Sequence, residues 1–206
     1  MKRKLFRILL IVAFMVTLFP THSTNASGAL SCWYSDDCRI GRWNSNYLDV
    51  YKWRLSLNNS PYFLDGISHA CSQWGNALSL NISSSITCSD APIRYYGGSL
   101  AAINTFWDYQ ITNEVNGVTD LHDYYYTDTW YLGTSVYTGL TIYGVEGCII
   151  DKGYTPNKTK KTCTHELGHA LGWIGHSDVS SDIMYKRGSS ITSLSYRDIQ
   201  HLSQVY

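Results

Sequence analysis

The chain has 206 residues, with 16 Lys+Arg balanced by 16 Asp+Glu, a length suited to one domain behind a leader. The neutral balance argues against a nucleic-acid partner, whose binders carry a basic excess. With 44% hydrophobic and 16% charged residues, 16 Gly and 4 Pro, the composition excludes a disordered tail, a collagenous chain and a low-complexity chain.

Residues 1–26 read as a secretory signal peptide: Lys2, Arg3, Lys4 and Arg7 lead an apolar run from Ile8 to Phe19, and small residues precede a cleavage point after Ala26. That run is short for a membrane span, which needs roughly 20 residues. Cleavage removes four of the 16 cations and no acid, so residues 27–206 carry 12 Lys+Arg against 16 Asp+Glu. The expected product is secreted, extracellular, monomeric and free of any membrane anchor. Residues 27–46 are polar and irregular. Leu48–Leu57 alternates as a strand, Asn58–Pro61 is a turn, and Phe63–Leu80 has helical spacing. Ala91–Tyr96 is a second strand stopped by Gly97 and Gly98. Residues 99–137 hold many aromatics without a clean period and read as a long connection. Gly139–Ile150 is a strand. Lys158–Lys161 reads as a solvated basic turn, followed by a helix capped at Thr162 or Thr164 and ended at Gly172. Ser195–Val205 is a last helix, with Ser195 and Asp198 at capping-box spacing.

All six cysteines lie beyond the leader. An even count in a secreted chain favours disulfides, and nearest-neighbour pairing predicts Cys32–Cys38, Cys71–Cys88 and Cys148–Cys163. His69 and His201 stand alone and read as surface or satisfied histidines. Asp120, Asp123 and Asp128 offer hard oxygens that could hold calcium in a loop, the other reading being a solvated loop.

The most informative stretch is His165-Glu166-Leu167-Gly168-His169. Residues four apart share a helix face, so His165 and His169 can point their imidazoles at one ion. Glu166 is turned about 100 degrees away, beside the metal, where it can hold a metal-bound water. Gly172 lets the chain turn back, so that His176 can supply a third imidazole, and Met184 follows in Ser181-Asp182-Ile183-Met184-Tyr185. Three protein ligands with an open fourth position suit catalytic zinc.

This pattern resembles the metzincin zinc endopeptidases, whose signature is H-E-x-x-H-x-x-G-x-x-H with a Met-turn, and most closely their matrixin branch. His176-Ser177 before Met184-Tyr185, and the ending Leu194-Ser195-Tyr196-Arg197-Asp198-Ile199, are similar to that branch. Three residues separate Gly172 from His176 where the family has two; Gly175 can absorb the extra one, and Asp178 is the alternative oxygen ligand. The resemblance implies an α+β fold, with a mixed twisted sheet and two long helices. A small lower part (about 173–206) would follow an upper part (about 27–172) of one catalytic domain spanning 27–206. It implies zinc held by His165, His169 and His176, Glu166 as general base toward the zinc-bound water, and Met184 as an apolar floor. Strand 139–150 would be the sheet edge, pairing a protein or peptide substrate along Tyr143, Gly144, Val145 and Glu146. The pocket wall would run from Tyr185 to Ile191. The expected function is therefore a secreted zinc-dependent endopeptidase. The rival is a secreted binding or adhesion module with a structural zinc site, suggested by the abundance of Tyr, Trp, Asn and Ser.

Overall fold

The computed structural model describes residues 34–37, 39–56, 61–107, 110–132 and 135–206, with 127–132 and 135–138 described by their backbone. The leader, Cys32, Cys38 and the turn at 58–60 lie outside the described residues.

Six strands and four helices follow in the order β1 (Arg39–Trp43), β2 (Tyr47–Arg54), α1 (Phe63–Leu78), β3 (Asn81–Ser85), β4 (Ile93–Gly98), α2 (Leu100–Phe106), β5 (Gly117–Leu132), β6 (Ser135–Ile150), α3 (Pro156–Ala170) and α4 (Tyr196–Leu202). The result is a mixed α/β architecture with a mostly parallel sheet, in keeping with the α+β expectation. β3, β2 and β4 run parallel side by side, and β4 continues onto β6. β6 is long enough to take two parallel partners end to end, β1 beside Thr138–Ile142 and β4 beside Val145–Ile150. β5 runs antiparallel along its other side and forms the sheet edge.

Strand periodicity sorts the core into two layers. Leu48, Val50, Ile93, Tyr95, Val145 and Ile149 face α1 and α3, which meet them with Phe63, Ile67, Trp74, Cys163 and Leu167. Fully burying each large apolar side chain contributes about 1.5–3 kcal/mol. The Trp74 indole nitrogen donates to the Thr164 carbonyl at 2.8 Å and fixes α1 against α3. Tyr96, Cys148 and Ile150 face the other way, toward Ile103 of α2. Two of the three expected disulfides, Cys71–Cys88 and Cys148–Cys163, are not formed, and Cys32–Cys38 lies outside the described residues. Cys148 and Cys163 lie on opposite faces of the sheet, and Cys71, Cys88, Cys148 and Cys163 are all free thiols.

Several elements differ from the sequence reading. β1 and β3 form where no strand was expected, and residues 99–137 contain both α2 and the whole of β5. α3 begins at Pro156, not after a cap at Thr162 or Thr164: the Thr155 side chain caps it by accepting from the Lys158 amide, and proline suits the first helical turn. The Lys158–Lys161 stretch is thus helical. α4 carries the expected capping box, with Ser195 and Asp198 bonding reciprocally. No helix among the described residues is long and apolar enough to cross a membrane.

Candidate metal centre

α3 carries His165 and His169 one turn apart on its inner face, with their Nε2 atoms 3.2 Å apart. The helix ends at Leu171, and Gly172 takes φ +108°, a conformation that favours glycine. A Cβ at Gly172 would also stand 2.1 Å from the Gly41 carbonyl oxygen of β1. Gly175 turns the chain again with φ +78°. Its neighbour is latched from the other end of the chain: the His176 amide donates to Asp36 Oδ1 at 2.6 Å, and the Asp36 amide donates to the His176 carbonyl at 3.0 Å.

The outcome is a cluster in which one ring nitrogen from each of His165, His169 and His176 lies within 4.8 Å of the others. Among the described residues it is the group of side chains able to share one ion. The Nδ1 atoms of His165 and His169 face backbone carbonyls, of Ile183 at 2.8 Å and of Trp173 at 2.7 Å. A proton donated there leaves Nε2 as the lone-pair atom, the arrangement seen when a second partner orients a histidine ligand. Burial lowers the pKa of all three rings: His165 well below the usual imidazole range, His169 to about 4, and His176 by a lesser shift in the same direction. Neutral imidazoles are the form that binds a metal. Three nitrogen donors without a thiolate fit zinc among the common ions.

Glu166 is 6% exposed and sits beside the cluster. Its Oε2 accepts from the Thr119 hydroxyl of β5 at 2.8 Å, and its backbone carbonyl accepts from the Tyr95 hydroxyl at 2.7 Å. Burial raises its pKa to about 7, against the lowering influence of Thr119 and Lys161. The bare Cα of Gly117 makes room for it, since a Cβ there would stand 2.8 Å from Glu166 Oε1. Met184 is fully buried under α3 against Gly168, where a Cβ would meet its sulfur at 2.5 Å. The turn around it is held by two groups. The Met184 carbonyl accepts from the Ser177 amide at 2.8 Å. Asp198 of α4 accepts from the amides of Ile183, Met184 and Ser195 at 2.8, 3.2 and 2.8 Å.

Other expected site residues fall elsewhere. Asp178 is turned outward, its side chain 71% exposed and paired with Lys186, so it does not replace His176. Tyr143, Gly144, Val145 and Glu146 do not form the sheet edge. β6 is interior, with Val145 between Ile93 and Leu121, and Glu146 pairs with Arg94 at 2.8 Å. Strand order is a tertiary property, and β5 takes the edge instead. Asp120 and Asp123 lie on β5, not in a loop, and the side chain of Asp128 is outside the described residues; the described aspartates do not gather into a calcium site.

A cleft of about 350 Å³ opens beside His165, His176 and Glu166, between Glu114–Gly117 leading into β5 and the Tyr185–Ser189 segment. Sequence reasoning passed over Lys161, which is 5% exposed and lines this cleft. Its Nζ lies 3.2 Å from the Tyr185 carbonyl and 3.3 Å from His165 Nδ1. Burial lowers its pKa to about 8. The signal was in the spacing, since Lys161 is four residues before His165 and so on the same helix face. The chain matches no protein-family model and no curated protein.

Proposed function

We propose that this chain is a secreted zinc-dependent endopeptidase of metzincin type, nearest in pattern to the matrixin branch, acting as a monomer on protein or peptide substrates. The observation that carries the reading is the convergence of His165, His169 and His176 beside the buried Glu166 carboxylate. An antiparallel edge strand beside the cleft and a buried methionine beneath the ligand helix add support.

His165, His169 and His176 would hold the ion through neutral ring nitrogens. Zinc in such a site lowers the pKa of an attached water toward about 7 and polarises a carbonyl. Glu166 supplies the proton transfers. From its buried place beside the cluster, the carboxylate would accept a proton from the attacking water and pass it to the leaving amine. Thr119 holds Oε2 and leaves Oε1 for that proton. β5, as the free edge, provides backbone groups to which an extended peptide can add as a further strand.

The test compares purified protein with a folded Glu166→Ala variant of equal zinc content on a mixed peptide library. Loss of the general base is expected to lower cleavage roughly a hundredfold to ten-thousandfold. Equal cleavage by both would overturn the mechanism. No cleavage by either, with one zinc bound in each, would replace it with a binding module around a structural ion.

A further inference from the structure

Lys161 is a buried cation with no direct ion pair among the described residues; the buried Glu166 and Asp198 carboxylates act on it only from a distance. Its ammonium offers three donors, and the Tyr185 carbonyl takes one. The other near neighbour, His165 Nδ1, is itself turned to donate to the Ile183 carbonyl and cannot accept a second proton. No carboxylate lies within ion-pair distance of Lys161 among the described residues. A buried charge in this condition is costly unless something pairs with it. Lys161 lines the cleft, so a ligand there can supply a direct partner.

The surroundings carry the same sign. Lys158, Arg187 and Lys186, the last paired with Asp178, also line the cleft, against two acids, Glu114 and Glu166. Glu166 accepts from Thr119 and keeps its charge when ionised, and Glu114 is exposed at the rim, so the cations outnumber the acids. Lys158 lies over the Tyr154 ring at 3.7 Å, which steadies it at the entrance. The cleft is thus a positively charged recess whose deepest cation sits against a metal-ligand histidine.

We propose that this recess is a specificity pocket for a carboxylate side chain, glutamate or aspartate, on the substrate residue adjoining the scissile bond. The inference rests on the endopeptidase reading and names the substrate class of that site. The carboxylate accepts the two free Lys161 hydrogens as charge-assisted bonds, and Arg187 at the rim adds long-range attraction. Glutamine matches glutamate in shape and lacks the charge, so it isolates the ion pair.

The experiment uses matched peptides carrying Glu, Gln, Leu or Lys at the positions flanking one cleavable bond. kcat/KM is measured on zinc-loaded protein, and binding on metal-free protein by titration calorimetry. Glu is expected to exceed Gln by roughly tenfold to a hundredfold in both. Lys161→Met, whose neutral side chain suits the buried position, is expected to bring that ratio to about one, and Lys161→Glu to shift preference toward Lys. Circular dichroism and zinc content establish that each variant is folded. Cleavage or binding without a Glu preference, or a preference that survives Lys161→Met, overturns the pocket assignment and leaves the endopeptidase standing. Glu-selective binding without cleavage of any peptide supports the pocket and overturns the endopeptidase.

Discussion

Glu166 shows how one side chain depends on a neighbour that has none. Its carboxylate fits because Gly117 presents a bare Cα, and a methyl there would stand 2.7 Å from Glu166 Cγ. Gly117→Ala is therefore expected to push Glu166 out of line while leaving the three histidines in place. Peptide cleavage should fall about a hundredfold, as misplaced catalytic groups generally cost, with zinc content unchanged by atomic absorption. Loss of zinc in step with activity would point to a wider collapse. At this scale part of the histidine cluster was legible because helix spacing alone puts His165 and His169 on one face. Lys161 was hidden by its company, since a run of Lys158, Lys160 and Lys161 reads as solvated when the helix is thought to begin after it.

Among the elements, α4 acts as a brace. Asp198 both closes its capping box and satisfies the amides of Ile183 and Met184, so one carboxylate joins the last helix to the floor of the centre. Asp198→Ala leaves buried donors unpaired and is expected to destabilise the fold by about 3 kcal/mol, read from urea unfolding. A change below about 1 kcal/mol would mean that other groups hold the floor. The capping box itself could be read from Ser195 and Asp198. β5 could not, because its register shifts at Leu121/Asp123, Asp123/Tyr124 and Tyr126/Asp128, and each bulge breaks the alternation that marks a strand. β1 is only five residues with arginines at Arg39 and Arg42, too short and polar to stand out.

For the whole molecule, burial couples stability to pH. His201 is buried against the Trp173 ring, 4.0 Å between centroids, and neither ring nitrogen meets a partner among the described residues, unlike the surface or satisfied histidine that its isolation suggested. Burial lowers its pKa from 6.5 to about 4. Between those values the unfolded chain binds a proton that the folded chain does not, so stability is full above pH 6.5 and declines toward pH 4. The loss from this group is on the order of 3 kcal/mol. The depressed ligand histidines add with the same sign in zinc-free protein, so the difference between wild type and His201→Phe isolates the effect. Urea midpoints should fall less steeply with acid in His201→Phe, and parallel curves would refute the assignment. Sheet order, the edge strand and the fate of the cysteines were beyond the sequence for a shared reason: each depends on which segments distant in the chain come to lie side by side. The same distance governs when the centre comes into being. The His176 loop is latched by Asp36, 140 positions earlier, and the floor is braced by Asp198, which follows Met184 in the chain. Synthesis delivers the Asp36 half of the latch well before the loop and the brace only after it. A growing chain therefore carries the three histidines before it can finish the cluster, which waits until Asp198 has been added.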